Sequence, residues 1–348
     1  MIKSIILSNT RCFQQKKIVF EHPQTYMFGD NGVGKTTILE AVHMIATTKS
    51  HRTNQDKDII QDGKPFSKIT LETNENTFEM VITDKGKRVW LNGVEKRKLS
   101  QFIGHLNVVL FAPEDIELIK GTPTYRRQFL DIAMTQIDPE YLDTLTRYKK
   151  ILKQRNALLK KIKINEDDTF LNILSEQLLI EAKIIIEKRT QLIRILHDVI
   201  QPIAQQFQLE FVTLEYNKDS TLEQLKQHLL TKQPVDIMLQ ATSRGPHKDD
   251  FTVYFQQKKA SNYASQGQQR LLALSLKLAL FQQLKQASKK ELVLLLDDVL
   301  SELDETHQQQ LLTYEFQNYP LIMNSTHDHV RHNMHLMHLK KEFKDVTK

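Results

Sequence analysis

The stretch "GDNGVGKTT", Gly29 to Thr37, constrains the fold of this 348-residue chain more than any other feature. It fits G-x-x-x-x-G-K-[ST] through Gly29, Gly34, Lys35 and Thr36. It follows a strand candidate, "TYMFG", and opens a helix candidate, "GKTTILEAVHMIATT". A glycine-rich turn into a helix N-terminus aims backbone N–H groups at one point, and the helix dipole adds partial positive charge there. Such a turn cradles phosphate. Gly29, Asp30, Asn31, Gly32, Val33, Gly34, Lys35, Thr36 and Thr37 are therefore candidate nucleotide-binding residues. Lys35 is expected to reach the β- and γ-phosphates, and the Thr36 hydroxyl to bind Mg2+. Three of the chain's ten glycines fall between residues 29 and 34, which makes a chance match a poor account.

A second stretch supplies what such a loop lacks. "ELVLLLDDVLSELD", Glu291 to Asp304, is an apolar strand candidate ending in two acids. Asp297 is the expected metal residue, and Asp298 stands where a base orients or deprotonates an attacking water. The ligand set implied is ATP with Mg2+.

Between and around these motifs the texture changes twice. The first ~115 residues read as short strands around one helix, with "KITLETNENTFEMVIT" and "RVWLNG" alternating like hairpin strands. From about Pro123 to Lys232 the patterns are helical and almost free of glycine. From about Arg244 strands return, with "DFTVYF", "ELVLLLDD" and "YPLIMN" as candidates. The expected organisation is an α/β head over 1–122 and 241–348, interrupted by a helical arm over 123–240.

Bulk numbers narrow the class. One cysteine, Cys12, excludes an intrachain disulfide and fits a reducing compartment. No apolar run approaches the ~20 residues that span a bilayer. "MIKSIILSNTRCF" has too short an apolar stretch for a signal peptide. The expectation is a cytoplasmic protein with no membrane partner. Net charge is +6, and "RYKKILKQRNALLKKIK" carries eight basic residues and no acid. Leu145, Tyr148, Leu152 and Leu159 recur at helical spacing there, so Lys149, Lys150, Lys153, Arg155, Lys160 and Lys161 are either a solvated helix face or a strip that follows a nucleic-acid backbone.

The stretch "YASQGQQRLLALSLKLALF" adds a second anion-binding candidate at a helix start, with no lysine or metal ligand of its own. With it, the motifs resemble the ABC-type ATPase heads of SMC and Rad50. "GDNGVGKTTILEAV", "FAPEDIELIKGTPTYRRQFLD", "YKKILKQRNALL", "RGPHKDDF", "ASQGQQRLLALSLKLA" and "LLLDDVLSELD" resemble, in order and over almost the whole chain, the RecF family of bacterial recombination and gap-repair proteins.

The resemblance implies a P-loop ABC-type head with a short helical arm, ATP-driven homodimerisation and slow, DNA-stimulated ATP hydrolysis. It implies binding to DNA gaps or single-strand–double-strand junctions, and action with RecR and RecO to load RecA. Ser265, Gly267 and Gln268 match the signature that meets the γ-phosphate held by the opposite subunit. Ser301 and Asp304 match the D-loop at the same interface. Arg11 matches a basic position near the nucleotide, and Arg52 an arginine that links DNA to hydrolysis. His327 resembles a γ-phosphate-sensing switch histidine, although family members usually carry threonines there. Two other readings stay open: a DNA clamp that uses nucleotide structurally, and an ATPase subunit of another complex. His335 and His338 either share a helix face and bind a metal or are plain surface histidines, and no cysteine or evident carboxylate set completes a metal site there.

Overall fold

A computed structural model describes residues 1–162, 169–231, 233–287, 290–314, 316, 319–325 and 334–340. His327 lies outside the described residues. In chain order the strands and helices begin with β1 (Ile2–Thr10), β2 (Phe13–Val19), β3 (Gln24–Phe28), α1 (Lys35–Thr47), β4 (Phe66–Thr73), β5 (Thr77–Thr83), β6 (Gly86–Leu91), β7 (Val94–Lys96) and β8 (Leu106–Phe111). They continue with α2 (Glu117–Lys120), α3 (Pro123–Ile137), α4 (Glu140–Leu159), α5 (Thr169–Gln206), β9 (Val212–Asn217), α6 (Leu222–Thr231), α7 (Gln233–Leu239), β10 (Asp250–Phe255), β11 (Lys258–Lys259), α8 (Ala260–Tyr263) and α9 (Gln266–Ala287). The last are β12 (Glu291–Asp297), α10 (Glu305–Thr313), β13 (Leu321–Ser325) and β14 (His335–His338).

The chain forms two compact units, one of residues 1–115 with 280–348 and one of 116–279. The first holds two sheets. One is antiparallel, in the order β2-β1-β4-β5-β6-β7; the other runs β14-β3-β13-β12-β8 with parallel pairing throughout. Strands of the antiparallel sheet alternate buried and exposed positions, so one face packs and the other meets solvent. Helix α1 shares one hydrophobic core with both sheets, through Ile38, Leu39, Val42 and Ile45 against Ile5, Ile69 and Met80 on one side and Val108, Val293 and Leu295 on the other. Twelve of its thirteen residues are buried, polar Glu40 and His43 included. The phosphate-loop helix is thus clamped, and its N-terminus is a fixed point.

Strand β8, "LNVVLF", has all six residues buried and shows no alternation. Helix α1 covers the face of Val108 and Leu110, and Phe316 packs on Phe111 of the other face, while β12 pairs along its edge. A strand covered on both faces loses the period that marks strands in sequence. Of the two alternatives for His335 and His338, the shared helix face is corrected here. His335 and His338 lie on β14, where a three-residue step points them to opposite faces. His338 stacks on Phe28 with ring centroids 4.7 Å apart.

The second unit packs α4 along the 38-residue α5 and pairs β10 with β9 and β11. It begins at Ile116 and ends at Ala279, whereas the sequence expectation set the arm at 123–240, so "DFTVYF" and the "SQGQ" stretch fall in this unit. Its interior carries ionic networks. Arg189 donates to Asp131, to the Tyr141 hydroxyl and to the Pro246 carbonyl. Arg126 chelates Asp250.

Arg155 requires a correction. Instead of joining a DNA-facing strip, its side chain is 0% exposed and pairs with Asp236 at 2.7 Å. It follows Tyr148 by seven residues, two helical turns, and so shares that residue's buried face. Lys149, Lys150, Lys153, Lys160 and Lys161 are exposed.

Candidate nucleotide-phosphate site

Strand β3 ends at Phe28 and α1 begins at Lys35. The six residues between turn through backbone that a side chain would obstruct. Gly34 has φ of 97°, and a Cβ there would meet the Phe13 ring at 2.2 Å. Gly29 has φ of 149°, and a Cβ would fall 2.3 Å from the Leu339 carbonyl oxygen. Helix α1 has no side-chain cap and no acid in its first turn. Its first N–H groups and its dipole are therefore left for an anion from outside the chain. The Lys35 ammonium donates to the carbonyls of Gly29 (2.5 Å) and Asp30 (3.0 Å), folding back over the loop. Burial lowers its pKa against the pull of Asp298, Asp30 and Asp297.

Asp297 is the last residue of β12, and Thr36 the second of α1. The fold brings them together across 261 residues, with the Thr36 hydroxyl donating to Asp297 Oδ1 at 2.9 Å. Asn324, at the end of neighbouring β13, donates its amide to the same oxygen at 2.6 Å. His51 Nε2 stands 3.8 Å from Oδ2, beyond hydrogen-bond length. Burial raises the Asp297 pKa, but His51, Asn324 and Thr36 outweigh it and hold the carboxyl below its ordinary range.

Asp298 has the opposite character. Its φ is 52°, a conformation uncommon outside glycine, and its N–H is tied to Asn324 Oδ1 at 2.7 Å. One carboxylate oxygen, Oδ1, is buried with no hydrogen-bond partner. Burial leads in raising its pKa; Asp297 and Glu302 add to this, against Ser301 and Lys35. Adjacent carboxylates pushed in opposite directions suit one to hold a cation and the other to take a proton.

The donors fit Mg2+. They are hard oxygens, one hydroxyl and one carboxylate, with an unsatisfied carboxylate oxygen alongside. Among the described residues no cluster of three or more His, Cys, Asp or Glu is placed to hold a metal alone. That suits a cation whose remaining ligands are phosphate oxygens and water.

A cavity of about 400 Å³ opens over these groups, lined among others by Arg11, Cys12, Lys35, Thr36, Arg52, Asp297, Asp298 and Asn324. Arg11, at φ of 52°, donates through Nε and Nη2 to Glu40 at 3.1 and 2.8 Å. Glu40 is buried on α1, accepts the Ser50 hydroxyl at 2.5 Å and lies 3.8 Å from Arg52 Nη1. Arg52, expected at DNA, thus stands on the cavity wall beside Arg11. Glu40, His51 and Asn324 are absent from the sequence expectation. Asn324 had one signal, a polar residue at the end of an apolar strand; Glu40 and His51 had none.

The other expected residues lie in two further places. Ser265 and Gln268 form a reciprocal cap at the start of α9: the Ser265 N–H donates to Gln268 Oε1 at 2.9 Å, and the Gln268 N–H to Ser265 Oγ at 3.2 Å. Gly267 sits in that turn with open space where a Cβ would be. Ser301 Oγ donates to the Asp298 carbonyl at 2.7 Å, and Asp304 caps α10 by accepting the His307 N–H at 2.9 Å.

Comparison with known proteins extends over almost the whole chain. The family model described as RecF/RecN/SMC N terminal domain matches residues 1–337. The chain is 44% identical over 325 residues to the DNA replication and repair protein RecF of Acholeplasma laidlawii, covering 93% of each. It is 40% identical over 328 residues to that of Listeria monocytogenes, covering 89% of each. The solved structure of the recombination mediator protein RecF-ATP in the RecFOR pathway superimposes with a TM-score of 0.87 at 28% identity, covering 95% of this chain and 93% of that one. A Pyrococcus furiosus Smc head domain shares the fold alone, with a TM-score of 0.51 at 15% identity and coverage of 94% and 90%. A P-loop α/β head, its two-acid strand and this matching therefore agree: the chain belongs to the RecF family of the RecF/RecN/SMC N-terminal-domain proteins.

Proposed function

We propose that this chain is a RecF-type DNA-repair ATPase whose ATP-bound form dimerises on gapped or junction DNA, and whose slow hydrolysis resets it. The observation that carries this reading is the meeting of Thr36 with Asp297 below the Lys35 loop, with Asp298 Oδ1 buried beside them and without a hydrogen-bond partner among the described residues. The loop N–H groups and Lys35 bind the β- and γ-phosphates and orient the terminal phosphoryl group. Thr36 and Asp297 hold Mg2+, which supplies positive charge against the charge developing during transfer. Asp298 Oδ1 orients the attacking water and accepts its proton; its raised pKa favours acceptance. An aspartate reaches one methylene less far than a glutamate, which suits slow turnover. Arg11 and Arg52 add positive charge to the cavity wall.

The signature residues are read as serving a second copy. Gly267 needs no positive φ and touches no neighbour, so nothing local calls for glycine. Its missing side chain leaves the α9 N-terminus open to close approach, which suits the γ-phosphate of another subunit. Ser265 is exposed there; Ser301 and Asp304 of the first unit, also exposed, are read as facing a second copy in their own right. The exposed lysines of α4 are proposed to follow a DNA backbone. Action with RecO and RecR in loading RecA is part of the same proposal, supported by the solved RecF-ATP relative assigned to the RecFOR pathway.

The test is sedimentation and ATP turnover, with and without gapped DNA. Lys35→Ala is expected to abolish tight ATP binding and dimerisation. Ser265→Arg is expected to keep ATP binding in the monomer while blocking dimerisation and turnover. Loss of ATP binding in the isolated Ser265→Arg monomer would overturn the two-subunit reading. Wild-type protein that binds ATP but never hydrolyses it, with or without DNA, would favour a structural nucleotide instead.

A further inference from the structure

The segment after α1 turns back toward the phosphate site. Ser50 Oγ donates to buried Glu40 and accepts the N–H groups of Arg52 and Thr53 at 3.0 and 3.1 Å. This pins His51 between two anchored residues. The His51 side chain is only 10% exposed. Neither ring nitrogen has a hydrogen-bond partner among the described residues. Its ring meets His43 edge to face, with centroids 5.7 Å apart. A buried donor left unpaired is unfavourable, so such a group in a native site calls for an explanation.

Asp297 gives one. Its oxygens are served unequally: Oδ1 takes the Thr36 hydroxyl and the Asn324 amide, while the imidazole stands 3.8 Å from Oδ2. A shift of about 1 Å would bring Nε2 to ordinary hydrogen-bond length. We propose that His51 is a positioning residue for Asp297: its Nε2–H serves Oδ2 and fixes the rotation of the carboxylate that Thr36 and Asn324 hold by the other oxygen. His51 touches neither nucleotide nor cation in this role. The inference rests on the Mg–nucleotide reading above and adds a residue to it.

The experiment measures the affinity of a fluorescent ATP analogue in EDTA and through a Mg2+ titration. It compares wild type with His51→Phe, which keeps an aromatic ring against His43 but removes both nitrogens, and with His51→Gln, which keeps a donor. Removing an outer partner of a metal ligand typically costs about 10–100-fold in metal affinity. His51→Phe is expected to bind the analogue as wild type does in EDTA, and to need about tenfold more Mg2+ at half-saturation. His51→Gln is expected to recover most of that loss. An unchanged Mg2+ midpoint in His51→Phe would overturn the inference. An equal loss with and without Mg2+ would also overturn it, because the ring would then be supporting the pocket. Should phenylalanine unfold the protein, His51→Asn, polar but too short to reach Oδ2, replaces it and is held to the same outcomes. If wild type itself bound the analogue without any Mg2+ dependence, the functional reading would fall, and this inference with it.

Discussion

Truncating Arg155 to alanine separates a structural arginine from a DNA contact. Its guanidinium donates to Ser175 Oγ at 3.0 Å, Asp236 Oδ2 at 2.7 Å and Thr242 Oγ1 at 2.8 Å, tying α4 to α5, α7 and the loop after α7. Burial raises the Asp236 pKa, but bonds from Ser243, His228 and Arg155 outweigh it and hold the carboxyl below its ordinary range. Arg155→Ala leaves that carboxylate buried without its guanidinium, and breaking a buried pair from one side costs about 3–5 kcal/mol. At about 2–4 °C per kcal/mol for a unit of this size, the melting temperature should fall by roughly 6–20 °C. The depressed pKa sets the pH dependence. The pair's stabilisation is present above the unfolded carboxyl value of about 3.9 and is lost as pH falls through the lower folded value, so the gap between variant and wild type should narrow in acid. Thermal melting followed by circular dichroism measures this, alongside DNA binding at low temperature where the variant is folded. Arg155→Met with Asp236→Leu should recover much of the loss, because an apolar pair replaces the ionic one. A melting temperature within about 2 °C of wild type together with weakened DNA binding would refute the reasoning, since it would place Arg155 on the surface.

The exposed lysines should behave in the opposite way: Lys150→Gln, Lys153→Gln and Lys160→Gln together should leave melting unchanged and flatten the salt dependence of DNA affinity by about 0.9 in log–log slope per lost phosphate contact. Asp298→Asn should abolish turnover yet melt above wild type without nucleotide at neutral pH. The raised folded pKa means that wild type loses stability as pH rises through it, so this gain should vanish below about pH 4, and its absence at pH 7 would refute the sign of the shift. Asparagine also tolerates the positive φ of that position. Cys12, exposed and on the cavity wall, should react with a maleimide more slowly when ATP is present, and the alkylated protein should lose ATP binding. Equal labelling rates with and without ATP would place the nucleotide elsewhere.

The contrast between Gly34 and His51 marks how far sequence carried the site. Gly34 was legible because, although the close approach of Phe13 is tertiary, its other requirement is local: a left-handed turn into a helix start favours glycine wherever the chain goes next. The same holds for the Ser265–Gln268 cap, which closes within one helical turn. Even Arg155 was legible in principle, since residues seven apart on a helix share a face; counting charges along α4 instead of following their phase misplaced it. Strand β8 was hidden for a different reason, because packing on its faces erased the alternation.

The sequence by itself determined that a phosphate loop opens a helix, that a two-acid strand accompanies it, and that both belong to a RecF-like head. Those properties depend on backbone conformation and residue order within a few positions. Only the tertiary structure decided that Thr36 and Asn324 meet on one carboxylate with His51 standing 3.8 Å from it, and that Arg11 and Arg52 converge on Glu40. These groups come from separate strands, helices and loops, and their distances are set by how α1 is clamped between two sheets, a property of packing that no short window of residues contains.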